Sequence, residues 1–200
     1  MTGFLVLATR NPGKVREIRD LMADLKVSLW TLNDFPIPEI PEDAPTLEEN
    51  ALKKARTVAK AIGLPALADD SGLEVDALLG APGVRSARFA GEGAGDADNC
   101  RKLLSLMEGV PPSGRTARFW CVLALVLPEG RTEVVEGICE GRIGEAFQGE
   151  KGFGYDPLFI PEGETRTFAE LGEEVKNRIS HRAVALRKIK PLLFDILKGV

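Results

Sequence analysis

The sequence predicts an α/β protein built on a mixed β-sheet. Short apolar runs typical of strands alternate with stretches in which apolar residues recur at helical spacing. Two long β-rich runs, residues 115–127 and 131–143, are joined only by Pro128-Glu129-Gly130, which indicates a hairpin. Because the strands of a hairpin are antiparallel, the sheet is expected to be mixed. At 200 residues, the chain is long enough for one domain with a sizeable core.

The first third of the chain predicts three strands and two helices before a charged tetrad. In order, we expect a strand over residues 4–8, a turn at 11–13, a helix over 14–25, a strand over 27–31, an extended loop over the proline-containing segment 33–45, and a helix opened by the capping box Thr46-Leu47-Glu48-Glu49 and ended after residue 62 by Gly63. A brief buried strand at 66–68 then delivers Asp69-Asp70-Ser71-Gly72 at its end.

The rest of the chain predicts two glycine-rich loops and two helices around the hairpin. In order, we expect a loop over residues 80–95, a helix over 96–107, the hairpin, a second loop over 149–154, and a final helix that Ser180 can cap and that runs toward residue 197, kinked or broken at Pro191.

Composition excludes several classes of protein. With 26 basic and 30 acidic residues the formal charge is −4, which argues against broad binding to nucleic acid or to an anionic membrane. The one histidine, His181, excludes metal sites that need two histidines. The longest apolar run, 119–127, is far short of the roughly 20 residues of a membrane span, and residues 1–10 lack the cationic start of a secretory signal. Three cysteines without a CxxC pair fit a reducing cytosol, so a cytoplasmic protein is expected.

The charges are unevenly distributed along the chain. Residues 33–49 contain six acids and no base, whereas residues 175–190 contain six bases and no acid. One segment suits a cation and the other an anion, although each taken alone is also compatible with an ordinary solvated surface.

Three groups of residues can carry chemistry. The turn Thr9, Arg10, Asn11, Pro12, Gly13, Lys14 precedes a helix, whose N-terminal N–H groups favour a phosphate. It lacks the full P-loop fingerprint, and an ordinary turn is the alternative. Asp69 and Asp70 follow each other at the end of a strand, so their side chains point to opposite faces, and one carboxylate can hold Mg²⁺ or take a proton from water. Asn50 and Lys54, on one face of the preceding helix, are within reach of these carboxylates. The alternative is an acidic turn.

The third group lies in the second glycine-rich loop and the basic segment. Phe153 can stack on a base, and the flanking glycines allow backbone groups to approach the base edge; the alternative is an aromatic anchor for the loop. Lys176, His181 and Arg182 add hydrogen-bond donors near the start of the last helix.

Six ordered motifs together resemble the inosine and xanthosine triphosphate pyrophosphatase family, enzymes that clear deaminated purine nucleotides and so keep them out of DNA and RNA. The motifs are residues 9–14, 46–51, Ala68-Asp69-Asp70-Ser71-Gly72-Leu73, 83–89, 152–157 and Ser180-His181-Arg182. The resemblance covers nearly the whole chain. It implies an elongated mixed sheet flanked by helices, in a single domain over residues 1–200 with two lobes and an active-site cleft between them. It also implies a homodimer that hydrolyses ITP, dITP or XTP with Mg²⁺ to the monophosphate and pyrophosphate.

The resemblance also assigns roles by position. Asp70 is expected to be the general base and a Mg²⁺ ligand, with Glu42 as second ligand, although Glu39 and Asp43 are alternatives in the same acidic loop. Asp69 and Lys54 are expected to support them. The residues expected to bind substrate are Thr9, Arg10, Asn11, Pro12, Gly13, Lys14 and Ser71 at the phosphates, and Phe153, Gly154, Tyr155, Asp156, Lys176, His181 and Arg182 at the base and sugar.

Two other classes are compatible with the same residues. In an aspartyl-nucleophile phosphatase, an Asp of the Asp69-Asp70 pair is phosphorylated and orthophosphate is released. In a non-catalytic binder of nucleotides or single-stranded nucleic acid, Phe153 and the basic segment bind without turnover.

Overall fold

A computed structural model describes residues 3–198, with side chains described through Phe194. The strands are β1 Gly3–Leu7, β2 Val27–Thr31, β3 Ala66–Val75, β4 Pro82–Gly83, β5 Thr116–Val126, β6 Thr132–Ile143 and β7 Phe159–Pro161. The helices are α1 Pro12–Leu21, α2 Leu47–Ile62, α3 Asp96–Leu106, α4 Phe168–Leu171, α5 Glu173–Ile179 and α6 His181–Lys198. None of these described helices combines the length and the apolar character needed to cross a membrane.

The strands form one mixed sheet, as the sequence predicts. Its order is β2-β1-β3-β5-β6-β7, and β4 pairs with β3 outside this path. Strand β1 is parallel to β2 and β3, whereas β4 is antiparallel to β3 and β7 is antiparallel to β6. The predicted hairpin is present: β5 and β6 are neighbours, and the Leu127 N–H donates to the Arg131 carbonyl at 2.9 Å across the turn. The α/β class is therefore confirmed.

The chain divides into two compact units, and three strands contribute residues to both. The first unit comprises Met1–Asp70, Cys121–Gly137 and Arg182–Val200, and the second comprises Ser71–Trp120 and Ile138–His181. Strands β3, β5 and β6 cross from one range to the other. The expectation of a single domain with two lobes and a cleft stays a prediction.

Each unit has its own apolar core. In the first unit, α1 and α6 bury apolar side chains such as Ile18 and Ile189 against strand residues including Leu5 and Leu123. In the second unit, Leu103 of α3 packs with aromatic side chains, and the rings of Phe119 and Phe159 lie 4.5 Å apart between centroids. Both cores follow from the helical spacing of apolar residues and the alternation along the strands.

Strand β3 is longer than the sequence predicts. Instead of ending at residue 68, it runs from Ala66 to Val75, so Asp69 and Asp70 lie inside a strand rather than after it. The tetrad at 69–72 has the composition of a turn, but cationic side chains from other elements compensate its buried charges. Beyond the tetrad, Leu73 returns to the core and pairs with Gly83 of β4, which extends the strand.

The boundaries of two helices also differ from the expectation. Helix α1 begins at Pro12, with Asn11 as N-cap, and ends at Leu21 rather than at residue 25. A proline at the first helical position needs no N–H partner, which explains the earlier start. Helix α6 continues through Pro191, so the predicted break does not occur. Pro191 and residue 187, one turn before it, are both exposed, so the proline lies on a solvent-facing part of the helix.

Candidate active site

Asp69 is the centre of a buried ionic cluster in the first unit. Its carboxylate accepts from Lys14 Nζ at 2.6 Å through Oδ1 and from Arg182 Nε at 2.7 Å through Oδ2. Arg182 also pairs with Glu17, so its guanidinium joins two carboxylates. Asp69 and Arg182 are each 1% exposed. Arg182 therefore has its donors engaged inside the protein, although the resemblance placed it at the base and sugar.

Glu17 is a site residue that the sequence analysis missed. It lies one turn after Lys14 on α1 and is buried among the apolar positions of that helix, including Val15 and Ile18. An acid on the apolar face of an amphipathic helix needs a charged or hydrogen-bonding partner. That misplaced charge is the signal that could have identified it, but its partner Arg182 is 165 positions away.

Asp70, the neighbour of Asp69, meets a different cation. Lys54 Nζ lies 2.7 Å from Asp70 Oδ1, 2.7 Å from Glu42 Oε1 and 2.7 Å from the Asp69 carbonyl. Helix α2 places Lys54 on its buried face. Asn50, one turn earlier, does not reach the carboxylates: its side chain accepts from the Ala44 N–H at 3.0 Å and donates to the Ala44 carbonyl.

The two adjacent aspartates have pKa shifts of opposite sign. Burial alone would raise the pKa of Asp69, but the charges of Arg182 and Lys14 outweigh it and hold that pKa well below its usual range. For Asp70, burial dominates and raises the pKa, against the opposing charges of Lys54 and Lys14. Burial would lower the pKa of Lys54, but Asp70 and Glu42 outweigh it and raise that pKa. Asp69 is thus fixed as an anion, and Asp70 is the more basic carboxylate.

Glu42 and Asp70 are suited to share a divalent cation. Their carboxylates converge on one positive group, the Lys54 ammonium, and carboxylate oxygens are the protein ligands that Mg²⁺ prefers. Within residues 3–198, no group of three or more His, Cys, Asp or Glu side chains is arranged to hold a metal ion. Two carboxylates are sufficient for Mg²⁺ where substrate phosphates and water supply the remaining ligands. Of the alternatives in the loop, Asp43 instead pairs with Lys53 on the surface.

The predicted phosphate segment has the structure of a helix N-terminus. Asn11 caps α1 by accepting from the Lys14 N–H at 3.1 Å, and Thr9 accepts from the Asn11 N–H at 3.1 Å. Pro12 is the first residue of the helix and Gly13 is buried beside it. The Arg10 guanidinium donates to the Ile37 carbonyl, which ties this segment to the acidic loop. Ser71 follows the aspartate pair in β3 and is partly exposed.

Phe153, Asp156 and Lys176 come together in the second unit. Lys176 Nζ lies 4.4 Å from the centre of the Phe153 ring and 2.5 Å from Asp156 Oδ2. The same carboxylate oxygen accepts from the Phe153 N–H at 2.9 Å. Gly152 has a φ of +82°, and a Cβ there would lie 2.1 Å from Asp156 Oδ2, so the turn requires glycine. The ring is therefore held at a fixed orientation by its own backbone and by a cation.

The remaining predicted base residues of this unit are anchored as well. The Tyr155 hydroxyl donates to the Ser86 carbonyl at 2.8 Å, and burial raises the pKa of this tyrosine. His181 stacks on Phe119 with 4.7 Å between ring centroids. Gly154 is bound to α3 through Asp96 and Cys100, two residues that the sequence analysis did not select.

The fold and the ionic cluster around Asp69 define an α/β protein in which lysine and carboxylate side chains meet at strand β3. The profile of the Ham1 family matches residues 5–192, and the chain belongs to this family. A dITP/XTP pyrophosphatase of Desulforamulus reducens is 54% identical over 190 residues, which cover 94% of each chain. A solved HAM1 protein from Coxiella burnetii is 42% identical with a TM-score of 0.87, covering 96% of this chain and 99% of its own. The Ham1 protein of Staphylococcus aureus is 37% identical with a TM-score of 0.85, covering 96% and 98%. The resemblance found in the sequence is confirmed.

Proposed function

We propose that this protein is a nucleoside triphosphate pyrophosphatase that hydrolyses dITP, XTP and ITP to the monophosphate and pyrophosphate. The relative from D. reducens, similar over nearly its full length, is named a dITP/XTP pyrophosphatase. The observation that carries the proposal is the geometry of the Asp69-Asp70 pair: Asp69 is bound by Lys14 and Arg182, whereas Asp70 meets Lys54 together with Glu42. A pair of acids with diverging pKa values is the usual arrangement where one positions and the other transfers a proton.

Asp70 takes the role of general base in this proposal. A water molecule attacks the α-phosphorus, its proton moves to the Asp70 carboxylate, and pyrophosphate leaves. Lys54 binds Asp70 through Oδ1, so we assign the proton to Oδ2. Asp69 keeps Lys14 in place, because Lys14 Nζ is bound by the Asp69 carboxylate at the start of the strand's polar segment.

The phosphates are bound, in this proposal, at the N-terminus of α1. The N–H groups at that end and the Lys14 ammonium present positive charge to an anion. Residues 9–13 supply the backbone of this segment, and Ser71 adds a hydroxyl from β3. The cluster of Lys14, Lys54 and Arg182 contains three cations against four carboxylates, so it does not by itself neutralise a triphosphate.

Glu42 and Asp70 would hold Mg²⁺ when it is bound. The ion supplies the positive charge that a triphosphate needs for attack by an oxygen nucleophile. The Lys54 ammonium, which joins the same two carboxylates, keeps them close together.

Phe153 stacks on the purine in this proposal, and its cation and backbone contacts fix the ring. The Phe153 N–H already donates to Asp156 and the Gly154 N–H to Asp96. Recognition of a 6-oxo group therefore falls to other donors, among which we propose Lys176 and His181. A 6-amino group would leave such donors unpaired, which gives discrimination against adenine.

The direct test offers ITP, dITP, XTP, dATP and dGTP to the purified protein, with Mg²⁺ and with EDTA, and measures pyrophosphate and orthophosphate separately. We expect pyrophosphate from the three deaminated substrates and little from dATP. Equal rates with dATP and dITP would contradict the specificity. Orthophosphate as the primary product would instead favour an aspartyl-nucleophile phosphatase, and binding without turnover would favour a binding protein.

We also propose that the protein is a cytoplasmic homodimer that binds neither nucleic acid nor membranes. The family resemblance supports the dimer, and the net charge of −4 argues against a polyanionic partner. Sedimentation equilibrium at micromolar protein would give twice the mass of one chain if the dimer forms.

A further inference from the structure

Gly154 is held by helix α3 on both of its peptide groups. Its N–H donates to Asp96 Oδ2 at 2.7 Å, and its carbonyl accepts from Cys100 Sγ at 3.4 Å. Asp96 and Cys100 are four residues apart and therefore share one face of α3. Both contacts lie within the second unit.

The contact of Asp96 is not explained by helix capping. Gly95 is the N-cap of α3, and Asp98 provides the cap by accepting from the Gly95 N–H at 3.4 Å. Asp98 also pairs with Arg101 at 2.5 Å. The Asp96 carboxylate, in the same first turn, is directed to another part of the chain 58 positions away.

The loop that α3 holds is the one that carries the aromatic ring. Three consecutive residues are fixed by three different partners: the Phe153 N–H by Asp156, Gly154 by α3 and the Tyr155 hydroxyl by the Ser86 carbonyl. A Cβ on Gly154 would meet nothing within 4 Å, but its φ of +62° is one that other residues rarely adopt. The α3 contacts therefore fix the backbone at the point where it turns between the two rings.

We propose that Asp96 is a positioning residue for purine binding, assisted by Cys100, and that it sets the place of the Phe153 ring by holding the Gly154 peptide. The inference rests on the proposed function, because it takes a purine as the group that Phe153 contacts. Asp96 itself does not touch the base. Its loss releases the loop, so binding of the base weakens while the groups at the phosphate end are unchanged.

The kinetic test compares Asp96→Ala, Asp96→Asn and the control Asp98→Ala, which removes an acid from the same helical turn. With dITP as substrate, we expect Asp96→Ala to raise KM about threefold to tenfold, because the hydrogen bond that is lost is charge-assisted but exposed to solvent, with kcat within about twofold. Asp96→Asn keeps an acceptor oxygen and should recover most of this loss. Asp98→Ala should leave KM unchanged. An equal rise in KM for Asp98→Ala would show a general effect on α3 and would overturn the proposal.

A second measurement reads the loop without any substrate. Hydrogen exchange of the peptide covering residues 149–158 should become faster in Asp96→Ala and remain unchanged in Asp98→Ala. If the wild-type protein does not hydrolyse dITP, the proposed function fails, and this measurement still decides whether Asp96 holds the loop. If the wild-type protein is active and Asp96→Ala leaves both exchange and KM unchanged, only the positioning role is wrong. Faster exchange with an unchanged KM would also overturn it.

Discussion

Asp69 and Asp70 are neighbours in the chain, but their side chains enter opposite environments because they lie on a strand. Asp69 is paired with Arg182 and Lys14, which lowers its pKa, whereas burial raises the pKa of Asp70. The resemblance assigned the general base to the second of the two, and the charges around each side chain support that choice on physical grounds. An acid already fixed between two cations is a poor proton acceptor.

This difference predicts the effect of Asp70→Asn on turnover. The amide keeps the size of the side chain but cannot accept a proton, so kcat with dITP should fall by about 10²–10⁴-fold while the substrate still binds. Binding is measured by isothermal titration and kcat by pyrophosphate release. Retention of most of the activity would contradict the assignment of Asp70 as base. Asp76→Asn, in the exposed part of the chain after β3, is the control for a lost acid.

In the acidic loop, substitutions of Glu42 and of its neighbour Asp43 are predicted to differ in their effect on the Mg²⁺ requirement. Glu42 meets Lys54 together with Asp70, whereas Asp43 pairs with Lys53 on the surface. We expect Glu42→Gln to raise the Mg²⁺ concentration for half-maximal activity by about tenfold or more, and Asp43→Asn to leave it unchanged. A Mg²⁺ titration of each variant measures this. A larger effect of Asp43→Asn on the Mg²⁺ requirement would indicate that Asp43, and not Glu42, is the metal ligand.

At the scale of elements, the sequence predicted the features that depend on interactions between residues close together in the chain. The hairpin and the Thr46 cap of α2 depend on residues close in sequence, and both are present. The predicted length of β3 was wrong because the charges of Asp69 and Asp70 are compensated by residues far along the chain, such as Arg182. For the same reason, the pairing of Glu17 and the contact of Asp96 with Gly154 could not be read from spacing.

The extension of β3 predicts a sensitive position at Gly72. A Cβ there would lie 2.4 Å from the Gly83 carbonyl of the neighbouring strand β4, closer than any relaxed contact. We expect Gly72→Ala to lower the free energy of unfolding by about 1–3 kcal/mol, the usual cost of overpacking, as measured by urea titration. Gly144→Ala, where the nearest atom would lie at 3.4 Å, should cost less. Equal losses in the free energy of unfolding of the two variants would mean that β3 and β4 can move apart to accommodate the added methyl group.

At the scale of the whole molecule, the net charge of −4 does not indicate how the charged side chains are arranged in space. The site gathers cations and carboxylates from segments that are far apart in sequence, and most of them are buried. Composition excludes a metal centre that needs two histidines of one chain, because only one histidine exists. It could not show that Lys54 joins Glu42 to Asp70, since that contact depends on the packing of α2 beside β3.

The three cysteines allow the single-domain prediction to be tested. Cys121 lies in the core of the first unit, and Cys100 and Cys139 lie in that of the second. Burial raises the pKa of Cys100 and Cys139 to about 12, so at pH 8 only roughly one in ten thousand of these thiols is the reactive thiolate. All three are buried, and we expect no reaction with a thiol reagent in the native protein.

Urea should then expose the three thiols in one transition, because β3, β5 and β6 each contribute residues to both units and neither unit can lose its strands alone. Labelling at increasing urea, with mass spectrometry of each cysteine peptide, gives a midpoint for every thiol. The three midpoints should coincide with one another and with the loss of circular dichroism. An earlier midpoint for Cys121 than for Cys100 and Cys139, or the reverse, would show that the units unfold independently and that residues 1–200 form two domains.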